Sequence, residues 1–127
     1  MEVRTHELAD REFVGEVVEL RDGYAKVKLK TNRKMAVDSK GLIHGGFTFG
    51  CADFSAMLAV NHPNVVLYKA DVRFTAPVKA GEEIIAEGRV VERLGKKIRV
   101  EVKAYTDKTV LEGSMYCYIP ERHVMEG

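Results

Sequence analysis

The sequence predicts an α+β fold in which one long central helix is wrapped by a curved antiparallel β-sheet. Three observations carry that expectation. Residues 45–60 form an apolar run broken by the lone charge of Asp53. Much of the remaining chain alternates apolar and polar residues at period two, the pattern of antiparallel strands with one covered face. The helix is the large apolar object available to cover that face. At 127 residues the chain has the size of one domain, 1–127, and can bury roughly two-thirds of its unfolded surface.

Taken in order, Thr5 to Arg11 is expected to form a short helix and Phe13 to Leu20 a strand, closed by the tight-turn dipeptide Asp22-Gly23. The return strand sets Ala25, Val27 and Leu29 on one face and Tyr24, Lys26, Lys28 and Lys30 on the other. The helix enters through Gly41-Leu42-Ile43-His44 and stops near Asn61-His62-Pro63, since proline cannot continue it. Val65 to Thr75 reads as a strand with Val66, Tyr68, Ala70, Val72 and Phe74 on one side. Pro77 and Gly81 mark a corner, and Glu82 to Leu94 is a long strand that turns at Gly95-Lys96. Ile98, Val100, Val102 and Ala104 then alternate with charged residues, and Leu111, Gly113, Met115, Cys117 and Ile119 repeat the pattern after a turn at Asp107-Lys108.

Composition narrows the function classes. An apolar fraction of 46% with 31% charged residues describes a soluble globular chain. The net charge of +1 provides no field for nucleic acid or acidic membranes. No apolar stretch reaches the roughly 18 residues of a membrane span, and the charged start, Met1 to Glu7, has no signal-peptide core. Two cysteines, Cys51 and Cys117, make no disulfide framework, so a cytoplasmic setting is expected. His6, His44, His62 and His123 have no metal-ligand spacing, and no metal is expected.

Asp53 is the residue that asks for a function. On its helix face the neighbours three and four positions away are Phe49, Gly50, Ala56 and Met57, none able to pair with a carboxylate. Burying an unpaired carboxylate costs several kcal/mol or makes it keep its proton. A structural alternative stays open: a carboxylate satisfied by Thr48 or by a partner's backbone. Cys51 has no histidine placed to activate it and, like Cys117, reads as core.

One long buried helix in a curled sheet, with His44-Gly45-Gly46 at its entrance, resembles the hotdog-fold thioesterases, above all the phenylacetic-acid-degradation type of acyl-CoA thioesterase. The residues carrying the likeness are His44-Gly45-Gly46, Asp53 within Cys51-Ala52-Asp53, Phe74-Thr75-Ala76-Pro77, Gly81 and Gly95-Lys96. The resemblance implies hydrolysis of an acyl-CoA to free coenzyme A and a carboxylic acid, with no cofactor because the CoA thioester is itself the substrate. It implies that the Gly45 amide polarises the carbonyl, that Asp53 acts as general base or nucleophile, and that the protein is a homodimer or tetramer with shared sites. It also suggests Lys96 and Lys97 of the Gly-Lys hairpin for the phosphates of coenzyme A, though a solvated hairpin is the plain alternative. Where that family has an asparagine six residues before the histidine, this chain has Asp38, expected to pair with Asp53 across the site and raise its pKa further, and the family's serine on the following strand falls near Leu67 or Tyr68.

The chemistry of the residues agrees with this. Hydrolysis needs an activated water and stabilisation of an oxyanion. A helix N-terminus offers unpaired amides at the positive dipole end, and glycines at 45 and 46 leave the backbone open to a carbonyl. His44 either takes part in proton transfer or orients the entrance through hydrogen bonds. Gly45 and Asp53 are eight residues apart, so a helix separates them by roughly 12 Å. A base must stand about 3 Å from the water it activates. One chain therefore cannot bring both groups to one carbonyl, whereas two antiparallel copies about a two-fold axis can. The competing reading is a non-catalytic module that binds acyl-CoA; a regulator of that kind would carry a DNA-binding segment for which this sequence has no room. A hydratase on the same fold is a further alternative, but the helix lacks the histidine and carboxylate arrangement it would need.

Overall fold

In the computed structural model, which describes all 127 residues, six strands hydrogen-bond in the order β1-β2-β4-β5-β6-β3, every neighbour antiparallel. The strands are β1 (Glu16–Arg21), β2 (Tyr24–Lys30), β3 (Val66–Phe74), β4 (Glu83–Leu94), β5 (Lys97–Tyr105) and β6 (Thr109–Tyr118). The short α1 (Arg11–Val14) precedes them, and the long α2 (Gly45–Val60) lies between β2 and β3 in the chain. The two predicted tight turns form where expected, at Asp22-Gly23 between Arg21 and Tyr24 and at Gly95-Lys96 between Leu94 and Lys97. Gly23 and Gly95 both take positive φ there.

The sheet lays one face on α2. Ala25, Val27 and Leu29 of β2, Ile84 and Ala86 of β4, Ile98, Val100, Val102 and Ala104 of β5, and Leu111, Met115 and Cys117 of β6 are all buried. They meet Cys51, Ala52, Phe54, Ala56, Met57, Leu58 and Ala59 of the helix in one core cluster of 24 residues. Full burial of a side chain such as Phe54 or Met57 contributes about 1.5–3 kcal/mol. The approach is close because β4 has Gly88 under the helix: a Cβ there would lie 2.7 Å from the Ser55 carbonyl oxygen.

Three local expectations differ. The N-terminal helix lies at Arg11–Val14 and not at Thr5 to Arg11, because His6 takes a left-handed φ of 53° and Asp10 is the residue whose side chain caps, accepting from the Glu12 amide. Consequently Phe13 and Val14 belong to α1 and β1 begins at Glu16. In β3 a register shift between Leu67 and Lys69 breaks the alternation, so that Leu67 and Val72 both pack on the core while Tyr68 and Phe74 are exposed.

Both ends of α2 are fastened by side chains. His44 caps the start through Nδ1, which accepts the Gly46 amide at 2.6 Å. Asn61 ends the helix in a left-handed conformation, the position where Gly or Asn is favoured. Its side chain then accepts from the Arg4 amide and donates to the Glu2 carbonyl, both at 2.8 Å.

Candidate active site

The His-Gly-Gly sequence has a separate steric reason at each glycine. A Cβ at 45 would meet the Phe74 ring at 3.3 Å, and one at 46 would meet the His44 ring at 2.8 Å. With no side chain at 46, the His44 ring folds back onto the helix start and takes the Gly46 N–H. The Phe47 N–H goes to the His44 carbonyl at 3.0 Å. The Gly45 N–H has no acceptor in the chain, and Gly45 is exposed. An open amide at the positive end of a sixteen-residue helix is a ready partner for a developing negative oxygen. His44 lies beside it as the capping group. Its Nδ1 accepts a hydrogen bond, so in the neutral ring Nε2 carries the proton.

Asp53 sits two turns further along the same helix, half-buried, with Cys51, Ala52, Phe54 and Ser55 around it fully buried. Its Oδ1 is sealed from solvent and has no hydrogen-bond partner, so neither Thr48 nor any backbone group of its own chain satisfies it. Burial pushes its pKa up from 3.8 to about 6. Cys117 faces it from β6: that thiol is pushed up to about 12, first by burial and then by the Asp53 charge. Cys51 is likewise pushed up to about 12 by burial and stays a thiol.

The remaining expected site residues are spread out. Asp38 is exposed at the turn before α2, where its carboxylate accepts the Lys40 and Leu42 amides at 3.0 and 3.2 Å. Burial is the cause behind the raised Asp53 pKa, with no contribution from Asp38 of the same chain. Lys96 and Lys97 lie at the β4–β5 turn, where Lys97 pairs with Tyr118 and Tyr118 with Val66, at the start of β3. Gly45 lies under Phe74, at the end of β3. The nine residues of β3 separate these two points by roughly 26 Å. Gly45, Asp53 and the lysine hairpin are thus strung along one protomer and do not converge within it.

Sequence reasoning quoted Phe74 only as part of the Phe74-Thr75-Ala76-Pro77 likeness and missed that its exposed ring lies against Gly45. It also missed the groove that opens there, about 450 Å³, between Leu42-Ile43 and the stretch Phe74 to Val78. No periodicity points to either, because both arise where the loop before α2 bridges the segment after β3, through Ile43 N–H to the Val78 carbonyl and the Leu42–Lys79 bridge.

The sequence profile of the thioesterase superfamily matches residues 40–112, more than half of the chain, and the protein belongs to that superfamily, whose fold is the hotdog. An uncharacterized protein of Pyrococcus horikoshii is 56% identical with a TM-score of 0.97, over 98% of this chain and 97% of that one. The PaaI protein of E. coli shares the fold at 18% identity and a TM-score of 0.83, covering 93% of this chain and 88% of its own. A hypothetical thioesterase of Streptococcus pneumoniae, solved with coenzyme A, shares it at 18% and 0.75, covering 83% and 84%. Among curated relatives, methylthioribose-1-phosphate isomerase of Aquifex aeolicus is 50% identical over 117 residues, which are 91% of this chain but 26% of that protein. The transcription factor FapR of Staphylococcus aureus is 26% identical over 120 residues, 91% of this chain and 63% of FapR. The chain therefore spans about a quarter of the first relative and under two-thirds of the second. No helix is long and apolar enough to cross a membrane.

Proposed function

We propose that the protein is an acyl-CoA thioesterase of the phenylacetic-acid-degradation type, acting as a two-fold homo-oligomer in which Asp53 of one copy serves Gly45 of another. The observation that carries this reading is the half-buried carboxylate of Asp53, its Oδ1 unpaired and its pKa raised to about 6, a base poised for neutral pH. Its separation from the open Gly45 amide along one rigid helix supports the sharing of sites.

In this mechanism the Gly45 N–H donates to the thioester oxygen. Asp53 takes one proton from a water as the water oxygen bonds to the carbonyl carbon. The tetrahedral intermediate collapses, the C–S bond breaks, and the proton held by Asp53 goes to the departing sulfur. A carboxylic acid and free coenzyme A result. Direct attack by Asp53 would instead pass through a mixed anhydride, and mass spectrometry of acid-quenched single-turnover mixtures separates the two by the presence or absence of an acyl group on Asp53. His44 keeps the first turn in place and Gly46 leaves room for it to do so.

The deciding experiment is a thiol-release assay across acyl-CoAs of varied chain and ring type, with Asp53→Ala as control. Release that is lost in the variant supports the hydrolase. Acyl-CoA binding with no release from any acyl group would make the protein a binding module, the reading that the likeness to a transcription factor favours.

A further inference from the structure

Most of the girth of α2 is covered within its own chain. The sheet lies behind Cys51, Ser55 and Ala59, which are fully buried. The N-terminal segment covers one flank, where the Phe13 ring lies 6.0 Å from Phe47 and the Arg11 guanidinium 4.7 Å from the Phe54 ring. The stripe that remains, Phe49, Asp53 and Val60, is only half-buried, and its first two members are one turn apart on one face. Gly50 beside them opens on free space, with nothing within 4 Å of where its Cβ would lie. The stripe looks toward the open side of the sheet. The Asp53 charge acts on Cys117 of β6, Cys117 pairs with Leu67 of β3, and β3 is the last strand.

Resting on the shared-site reading, we propose that Phe49 lies on the two-fold axis of the dimer and, with Phe49 of the second copy, forms the inner wall of both acyl pockets. The placement follows from symmetry. When Asp53 of one helix stands level with Gly45 of an antiparallel copy, the residue level with itself is the one midway between them, Phe49. It is four residues from each, roughly 6 Å along the helix, and it belongs to the uncovered stripe. The edge strand leads to the same axis. Paired antiparallel with a second copy about Ala70, β3 sets Lys69 against Asp71, a favourable cross-strand pair of side chains that enter no ion pair within the chain. That pairing also puts Phe74, which covers Gly45, opposite Val66 of the second copy, next to Leu67 and hence to Cys117 and Asp53 there. The consequence concerns the acyl group. Its coenzyme leaves each carbonyl toward solvent, so the acyl group runs inward between the helices and meets the two rings. An extended chain advances roughly 1.2 Å per bond, so about five bonds fit before that wall. A smaller side chain at 49 lengthens both pockets at once, and a larger one shortens both.

Two measurements test this. Phe49→Cys, treated with a short bismaleimide, is expected to link into covalent dimers on a denaturing gel. The wild type, whose Cys51 and Cys117 are buried, and Val18→Cys, at an exposed place on β1, are expected to stay unlinked. In the second measurement, thiol release and calorimetric binding are followed over straight-chain acyl-CoAs of increasing length. Relative to the wild type, Phe49→Leu is expected to favour long chains over short ones by about tenfold or more, and Phe49→Trp to do the reverse. A Phe49 that serves packing alone would lower binding and turnover equally at every chain length. That result, a Phe49→Cys dimer that does not link, or equal linking of Val18→Cys overturns the assignment. Linking by Phe49→Cys with no thiol release from any acyl-CoA by the wild type refutes the hydrolase and leaves the axis standing. Thiol release without linking refutes the placement of Phe49 and leaves the hydrolase.

Discussion

The His44 ring fills the space that a side chain at position 46 would need, its Cε1 and Nδ1 both 2.8 Å from where a Cβ would lie. Gly46→Ala therefore pushes the ring off the helix start and strands the Gly46 N–H. The loss of an N-cap costs about 1 kcal/mol, or roughly 4 °C in Tm for a chain of this size. Thermal unfolding measures the first effect. A fall in kcat with little change in KM would show that the capped turn also sets the Gly45 amide.

The pH behaviour follows from Asp53. Its pKa in the folded chain is raised from 3.8 to about 6, so between those values the folded state holds a proton that the unfolded state has released. Stability consequently falls as pH rises through that window, by about 3 kcal/mol in all. Asp53→Asn removes the penalty. The variant is expected to equal the wild type near pH 3.5, to exceed it by up to about 3 kcal/mol above pH 6.5, and to lose hydrolysis by about 100-fold or more. Denaturant titrations at the two pH values and the thiol-release assay check these outcomes; equal stability of the two proteins at high pH would contradict the sealed carboxylate.

The same titration sets the acid limb of activity, with kcat/KM rising through about pH 6 as Asp53 ionises. If Asp38 of a second copy faces Asp53, its charge adds to that elevation. Asp38→Asn retains an acceptor for the Lys40 and Leu42 amides and is then expected to move the limb to lower pH. An unchanged midpoint removes Asp38 from the site.

Site sharing has a complementation test. Asp53→Ala and Gly45→Val, the second made obstructive by Phe74 at 3.3 Å, are each expected to be inactive. Mixed after unfolding and refolding together, they form hybrid dimers in which one site keeps both groups. Random pairing gives roughly a quarter of wild-type activity. A protein whose sites each lie within one chain would recover nothing.

Much of the scaffold was readable because its signals are local. Asp22-Gly23 and Gly95-Lys96 set their hairpins, and the alternation from Ile98 to Ala104 gave the buried face of β5 without help from tertiary structure. The apolar girth of Gly45–Val60 gave a helix buried on most sides. What was not readable depends on long-range contacts. The register shift after Leu67 reverses which residues of β3 face inward, and nothing in the local pattern announces it. Phe13 and Val14 look like strand residues but pack as a turn of helix, Phe13 with its ring 6.0 Å from that of Phe47. For the site, the isolated charge of Asp53 and the paired glycines were visible at once. The distance between the lysine hairpin and Gly45 emerged only from strand pairing, and the groove beside Gly45 only from two segments thirty-odd residues apart meeting at Leu42 and Lys79.

Gly88 has an influence beyond packing density. Since it lets the Ser55 carbonyl settle against β4, the rod has no slack to rise or slide, and the height of the Asp53 carboxylate is fixed from behind by a residue that never meets a substrate. Gly88→Ala is expected to cost about 1–3 kcal/mol by forcing that seam open, measurable by denaturant unfolding. The position of Asp53 along that axle therefore cannot be retuned without parting the helix from the sheet behind it.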